Sequence, residues 1–234
     1  MTIPFQKGRY RVRFAVGQDE VRACQSLRHA CFFGRPGVDA DAFDLNARHV
    51  MVTGPTGRLV ATLRLLDGPG GYAAHFYDLS GLQALQVPML EVGRFCITPD
   101  VLDADVLRAA WGAMTGYVDA RGVQVLFGCS SFAGTDPRVY GRSLDRLTRH
   151  MGPDHLRPVA RCPALPLARC SGAGKGALPP LLRTYLAMGG WVGSDLVIDQ
   201  GMQTMHVFTC LEVAKVPAAR ARALRALAPD AVLT

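Results

Sequence analysis

The stretch Leu90–Ile97, LEVGRFCI, constrains the fold more than any other in this chain, because it has the apolar content of a core strand yet carries a carboxylate and a guanidinium in its middle. Side chains along a strand alternate between faces, so Glu91 and Arg94, three positions apart, should point to opposite sides of a regular sheet. Gly93 between them is a candidate β-bulge, whose extra residue would shift the alternation and bring both charges to one side. The expectation is a kinked internal strand presenting a Glu–Arg pair, either as part of a site or as a buried ion pair that fixes the strand.

The rest of the chain supplies partners for such a strand. YRVRFAV (10–16) alternates like a half-buried strand, and GQDEVRACQSLRHACFF (17–33) places apolar residues at helical spacing behind an acidic first turn. A polar, Gly- and Asp-rich loop follows (34–47), too long for a turn. RHVMVT (48–53) and RLVATLRLL (58–66) flank the turn TGPTG as a hairpin. After the kinked strand, 103–122 opens on Asp caps and stops at Gly122 as a helix, 123–132 reads as a strand, and 136–152 as a helix with proline in its first turn. Residues 153–180 are Pro-, Ala- and Gly-rich and carry no clear period. PPLLRTYLAMGG reads as a helix, 202–213 as a final strand, and PAARARALRALAP as a short basic helix.

Composition narrows the function classes. With 49% hydrophobic and 19% charged residues the chain is neither disordered nor membrane-spanning, and 234 residues suit one domain with a substantial core. MTIPFQKGRYRVRF lacks the apolar region of a signal peptide, so a cytoplasmic location is expected. Seven cysteines without a CxxC spacing read as reduced packing residues, Cys129 being the one weighed as a nucleophile, and six histidines without HxH or HxxxH spacing give no metal site. SGAGKGA (171–177) lacks the spacing of a phosphate-binding P-loop. The net charge of +7 favours an acidic partner; without an aromatic RNA-binding motif, zinc-finger spacing or long basic block, nucleic acid is not that partner.

In order, the elements resemble the GCN5-related N-acetyltransferase fold, an α/β (α+β) architecture. The resemblance implies a central mixed, mostly antiparallel twisted sheet, flanked by helices, in which a bulged strand (89–97) splays from the next (123–131) to admit a thioester. Acyl-CoA members carry a Gly-rich pyrophosphate loop after the bulged strand. Here TPDVLDADVL has no glycine, and Asp100, Asp103 and Asp105 would repel a pyrophosphate, so coenzyme A is not the expected donor. Two acyl carrier protein-dependent branches are closer in motif. The acyl-homoserine-lactone synthases carry Arg-x-x-x-Phe, Asp-x-x-Asp, a hairpin Arg and Glu-x-x-Arg, matched here by Arg28 and Phe32, Asp41 and Asp44, Arg64, and Glu91 with Arg94. The ornithine N-acyltransferases share this set and add two blocks, matched by GCSSFAGTDP (128–137) and LPPLLRTYLAMGGWVGSDLVID (178–199). The likeness then runs from about residue 10 to 213.

That resemblance implies one acyltransferase domain over 1–234, with 178–213 as a family-specific extension and 214–234 as a basic tail. It implies transfer of a 3-hydroxy fatty acyl group from acyl carrier protein to the α-amine of L-ornithine, with the phosphopantetheine thioester as donor substrate, no permanently bound cofactor and no metal. Glu91 and Arg94 are the expected catalytic pair. A glutamate, with a reference pKa of about 4.3, is a weak base, yet the nitrogen of a tetrahedral adduct is acidic enough for it, directly or through water. Arg28 would hold the substrate carboxylate or cap a carbonyl, and Phe32 belongs to the same motif. Asp41 and Asp44 would receive a side-chain ammonium or bound turns, and Arg64 would brace the acidic loop. Ser130, Ser131 and Asp136 would bond the phosphopantetheine arm or cap a loop. Leu181, Leu182, Tyr185, Leu186 and Trp191 would wall an acyl chain or pack the core. Arg142, Arg146 and Arg149 are expected to meet the acidic carrier protein or the bilayer, and Arg220, Arg222 and Arg225 an anionic membrane surface. The alternatives are an acyl-homoserine-lactone synthase using S-adenosylmethionine and a non-catalytic carrier-protein or lipid binding module.

Overall fold

Leu59–Asp67 is apolar on both faces apart from Thr62, Arg64 and the terminal Asp67, and seven of its nine residues are buried, which requires cover on each side. The computed structural model, which describes residues 4–170 and 172–227, supplies it with helices. Along the chain the elements are β1 (Phe5–Lys7), β2 (Tyr10–Phe14), α1 (Gly17–Phe33), β3 (Arg48–Thr53), β4 (Leu59–Asp67), α2 (Tyr72–Phe76), β5 (Tyr77–Asp78), α3 (Ser80–Gln83), β6 (Met89–Ile97), α4 (Ala104–Arg121), β7 (Val125–Ala133), α5 (Gly141–Leu147), β8 (Val159–Ala160), β9 (Ala164–Pro166), α6 (Pro180–Ala187), β10 (Trp191–Asp199), β11 (Thr204–Glu212) and α7 (Ala218–Arg225). The chain divides into two compact units: 1–67 with 92–123 and 218–234, and 68–91 with 124–217.

In the first unit the strands lie in the order β1-β2-β3-β4 followed by the second half of β6, and β1 to β4 pair antiparallel. α1 and α4 both pack on β3 and β4. The α1 side of β4 carries Thr62, which bonds Val50 O, and Arg64; alternation puts Ala61, Leu63 and Leu65 on the other face. α1 buries Cys24, Gln25 and Arg28, whereas α4 buries an apolar series including Val106, Ala110, Trp111, Met114 and Tyr117. One face of this sheet is thus an ordinary core and the other is polar. α1 ends at Gly34 in the left-handed conformation (φ 66°), which lets its N–H cap Ala30 O. α7 packs on α4, where Asp119 takes two bonds from Arg225.

In the second unit the first half of β6 pairs parallel with β7, and β7-β11-β10-β9 continue antiparallel. Strand alternation divides β11 between two cores: Phe208 and Cys210 pack with Tyr77, Phe127 and Trp191, while Met205 and Val207 pack with Phe132, Leu144, Leu182 and Leu196. The sheets are mixed and mostly antiparallel with flanking helices, as expected.

Several elements depart from the sequence reading. The helix expected over 136–152 is reduced to α5 between two 3-10 turns, Pro137–Val139 and Thr148–His150. Trp191–Asp199 is a strand, β10, interrupted by a register shift between Val192 and Leu196 that hides its period. The kink in β6 falls at Arg94, whose φ is +52°, and not at Gly93. The parallel β6–β7 ladder runs from Met89↔Val125 to Glu91↔Phe127.

Candidate active site

Around α1 the first unit gathers three arginines and three aspartates. Arg28 has no exposed surface; its Nε donates to Asp39 (2.9 Å), its Nη1 and Nη2 to Asp44 (3.0 and 2.9 Å), and Nη2 also to the Asp39 carbonyl. Arg64 Nη1 donates to Asp41 (2.5 Å) and Asp44 (2.9 Å). Arg94 lies 3.1 Å from Asp39 and 3.2 Å from Asp41. Gln25 adds a bond of 2.9 Å to Asp44. The three cations balance the three anions, which is the condition for burying them at all. Burial by itself would raise the Asp44 carboxyl, but the hydrogen bonds from Arg28 and Arg64 hold it well below the usual carboxylate range. His49, buried and 3.7 Å from Asp44, is lowered by desolvation and sits neutral beside the network.

Arg28, expected to hold a substrate carboxylate or cap a carbonyl, has four N–H groups bonded to Asp39 and Asp44, one of them to the Asp39 carbonyl. Asp44 is enclosed by Arg28, Arg64 and Gln25. Arg64 braces the acidic loop, and Asp41 ties it to the Ala42–Asn46 turn by accepting from Phe43 N (3.0 Å). Phe32 lies partly exposed on α1. Asp39 was not anticipated; the signal was its place in VDADAFD beside Asp41 and Asp44.

The second unit holds Glu91, 4% exposed, whose Oε1 accepts the Ala73 N–H at 3.0 Å. Ala73 belongs to a strap, 72–78, bonded at both ends. The Tyr72 hydroxyl donates to Asp199, and the Tyr77 hydroxyl lies 3.1 Å from the His206 carbonyl and 3.2 Å from its Nδ1. Phe76 meets the His206 ring edge-on with centroids 4.8 Å apart. Strap, carboxylate and His206 were invisible as a group in the sequence, since they come from separated segments. Ser130 accepts from Thr209 (2.8 Å), and Ser131 is exposed at the far end of β7. Asp136 caps the Pro137–Val139 turn by accepting from Arg138 N (3.0 Å). Trp191 is core: it packs against Phe208 (6.0 Å) and fills the space beside Gly152, where a Cβ would come within 2.2 Å of its ring.

The N-terminus of α4, where an acyl-CoA pyrophosphate would be received, is already occupied by acid. Asp103 accepts the Asp105 N–H at 2.9 Å, and Asp100 pairs with Arg58 at 2.6 Å.

The chain matches the Acetyltransferase (GNAT) domain over residues 28–112. It is 32% identical over 232 residues to the L-ornithine N(alpha)-acyltransferase of Rhodobacter capsulatus, covering 87% of this chain and 90% of that one. With the enzyme of the same name from Brucella abortus it shares 27% identity, covering 89% and 86%. Among solved structures it is similar to FeeM, an N-acyl amino acid synthase from uncultured soil microbes, with a TM-score of 0.56 at 11% identity over 91% of this chain and 97% of that one. TofI, in a ternary complex with an inhibitor and MTA, gives a TM-score of 0.50 at 16% identity over 94% and 100%.

Proposed function

Because this chain belongs to the L-ornithine N(alpha)-acyltransferase family, acyltransferases of the GNAT fold, we propose that it moves a 3-hydroxy fatty acyl group from acyl carrier protein to the α-amine of L-ornithine, giving lyso-ornithine lipid. The whole chain acts as one acyltransferase domain, since β6 contributes strand to both units and carries Glu91 and Arg94. The observation that carries the reading is the 32% identity running over 87% of the chain.

The chemistry follows from the residues. The neutral amine nitrogen attacks the thioester carbon, and its proton leaves through Glu91, directly or by way of a water. Main-chain N–H groups at the end of the β6–β7 ladder receive the oxyanion, and collapse expels the phosphopantetheine sulfur, which takes up the proton as the free thiol. Ala73 N–H holds the Glu91 carboxylate in place. Arg94 orders the acidic loop through Asp39 and Asp41, and Asp41, the most open of the three aspartates, is the one offered to the acceptor's side-chain ammonium. Ser130 and Ser131 border the arm of the donor. The acidic start of α4 supports a carrier-protein donor over coenzyme A.

An acidic carrier protein is met by Arg142, Arg146 and Arg149, all exposed on and just after α5; Arg142 and Arg146 are braced on the Gly174 and Gly176 carbonyls at 2.8 and 3.2 Å. Arg220 and Arg222, exposed on α7, face an anionic membrane surface from the cytoplasmic side while Arg225 is held by Asp119. Among the described residues no helix is long and apolar enough to cross a membrane.

The test is mass spectrometry of a reaction of purified protein and 3-hydroxyacyl carrier protein, offered L-ornithine and S-adenosylmethionine in parallel. Acyl-ornithine is expected. Acyl-homoserine lactone would move the protein to the sister branch, and no product with either acceptor would leave a binding module. Glu91→Gln is expected to cut turnover by about 10²-fold or more with a smaller change in KM; acylation at the wild-type rate would remove Glu91 from the mechanism.

A further inference from the structure

The seven cysteines are free thiols, and two of them, 65 positions apart in sequence, lie on neighbouring elements of the first unit. Cys31 follows Arg28 by one helical turn on α1 and shares its face, and Cys96 follows the kink at Arg94 by two residues on β6. Asp39 accepts from Arg28 Nε at 2.9 Å and forms an ion pair with Arg94 Nε at 3.1 Å, which ties α1 to β6. One step further along, the Cys31 Sγ reaches 3.7 Å from the carbonyl of Ile97, the residue after Cys96, so α1 brings one thiol against the segment of β6 that carries the other. Cys96 is buried and Cys31 is partly open to solvent.

That arrangement divides the labour of a thiol couple. Its interaction with Cys96 lowers the Cys31 thiol from its ordinary range and raises Cys96, so Cys31 is the more readily ionised and the more accessible of the two. Cys24, on the same helix face, is fully buried and raised by desolvation, and takes no part.

We propose that Cys31 and Cys96 are a site of reversible oxidation, closed to a disulfide by a peroxide, which clamps α1 to β6 beside the Arg28–Asp39–Arg94 bridge and slows acyl transfer. The Cys31 thiolate attacks one peroxide oxygen, the O–O bond breaks, and hydroxide leaves, giving Cys31 sulfenic acid. Cys96 sulfur then attacks the Cys31 sulfur, the S–O bond breaks, and the Cys96 proton departs with the oxygen as water. In sum, two thiols and one hydrogen peroxide give one disulfide and two waters. A dithiol reductant reverses it by exchange. A bond of this kind in a reducing compartment is transient by nature, as befits a regulatory couple.

The test uses the full chain treated with hydrogen peroxide, alkylated in denaturant and digested with trypsin without reduction. Peptides 29–48 and 95–108 are expected joined, at two mass units below their sum, and separated by dithiothreitol. Cys31→Ser should yield no joined peptide and leave Cys96 alkylatable. Both thiols still alkylatable after peroxide, Cys31 as sulfinic acid without a joined product, or Cys31 joined elsewhere would each overturn the couple. A second arm, which rests on the acyltransferase reading, follows acyl-ornithine formation. The wild-type rate should fall at least threefold on oxidation and return on reduction, while Cys31→Ser should be insensitive. A joined peptide with an unchanged rate would overturn the regulatory half alone, and the linkage arm is read without any activity.

Discussion

Four of the five N–H groups of Arg28 are taken by Asp39 and Asp44, and the side chain has no contact with solvent. Its position on the buried face of α1 was legible in the sequence, and its partners were not, because an unpaired charge at a core-facing position reads as a substrate ligand until the loop that neutralises it is in place. Removing one member of a buried, hydrogen-bonded ion cluster strands the others, at a cost of about 3–5 kcal/mol. Arg28→Ala is therefore expected to lower the unfolding free energy from a urea titration by that amount, and Arg28→Lys to recover only part of it, since a point charge does not fork to two carboxylates. A loss under about 1 kcal/mol for Arg28→Ala would show that the cluster does not organise this unit. Gly93 teaches the complementary lesson. Glycine inside a strand marked an irregularity, yet the left-handed residue is Arg94, which its bonds to Asp39 and Asp41 hold there, and a Cβ on Gly93 would meet no atom within 4 Å. Gly93→Ala is expected to change stability by less than about 1 kcal/mol; a larger loss in the same urea titration would return the kink to Gly93.

Long elements with a clean period were read correctly: α1 and α4 to within a residue or so, and the β3–β4 hairpin likewise. What escaped were short or interrupted elements. The strap from Tyr72 to Asp78 contains one five-residue helix and two strand residues, too little for any period to register and too short to be stable by itself. It exists because its side chains are anchored by Asp199 and His206 on distant strands. The kinked strand and its carboxylate were legible, but the backbone group that holds the carboxylate was not, because a main-chain N–H leaves no mark in a sequence. Tyr77 is fully buried in this strap. Tyr77→Phe leaves the His206 carbonyl and Nδ1 without that hydroxyl, which is expected to cost about 1–3 kcal/mol. Because Ala73 hangs on the same strap, turnover should fall with little change in KM for ornithine. A stable variant whose turnover is unaltered would mean that the strap does not position Glu91.

For the molecule as a whole, acid is the condition that bears on the buried charge, and the sign can be worked out group by group. His49 has its pKa lowered by burial, so the unfolded chain binds a proton below about pH 6.5 while the folded chain refuses it. Stability then declines as pH falls through that window, by at most about 1.4 kcal/mol per pH unit for one site, until the folded pKa is reached. Asp44, held below the usual carboxylate range despite its burial, contributes stability that is complete above the unfolded pKa of about 3.9 and is lost as pH falls toward the folded value. Glu20, lowered to about 2 by Arg13, acts in the same direction at the surface, with screening to reduce its share. The urea midpoint should therefore decline in two stages, one beginning near pH 6.5 and one near pH 4. His49→Gln removes the titrating ring beside Asp44, Arg28 and Arg64 while leaving the ion cluster intact, so it should flatten the first stage and spare the second. If the variant keeps the full slope between pH 6.5 and 5, the loss in that window belongs to other groups, and the neutral His49 beside the cluster is not what ties the stability of this protein to pH.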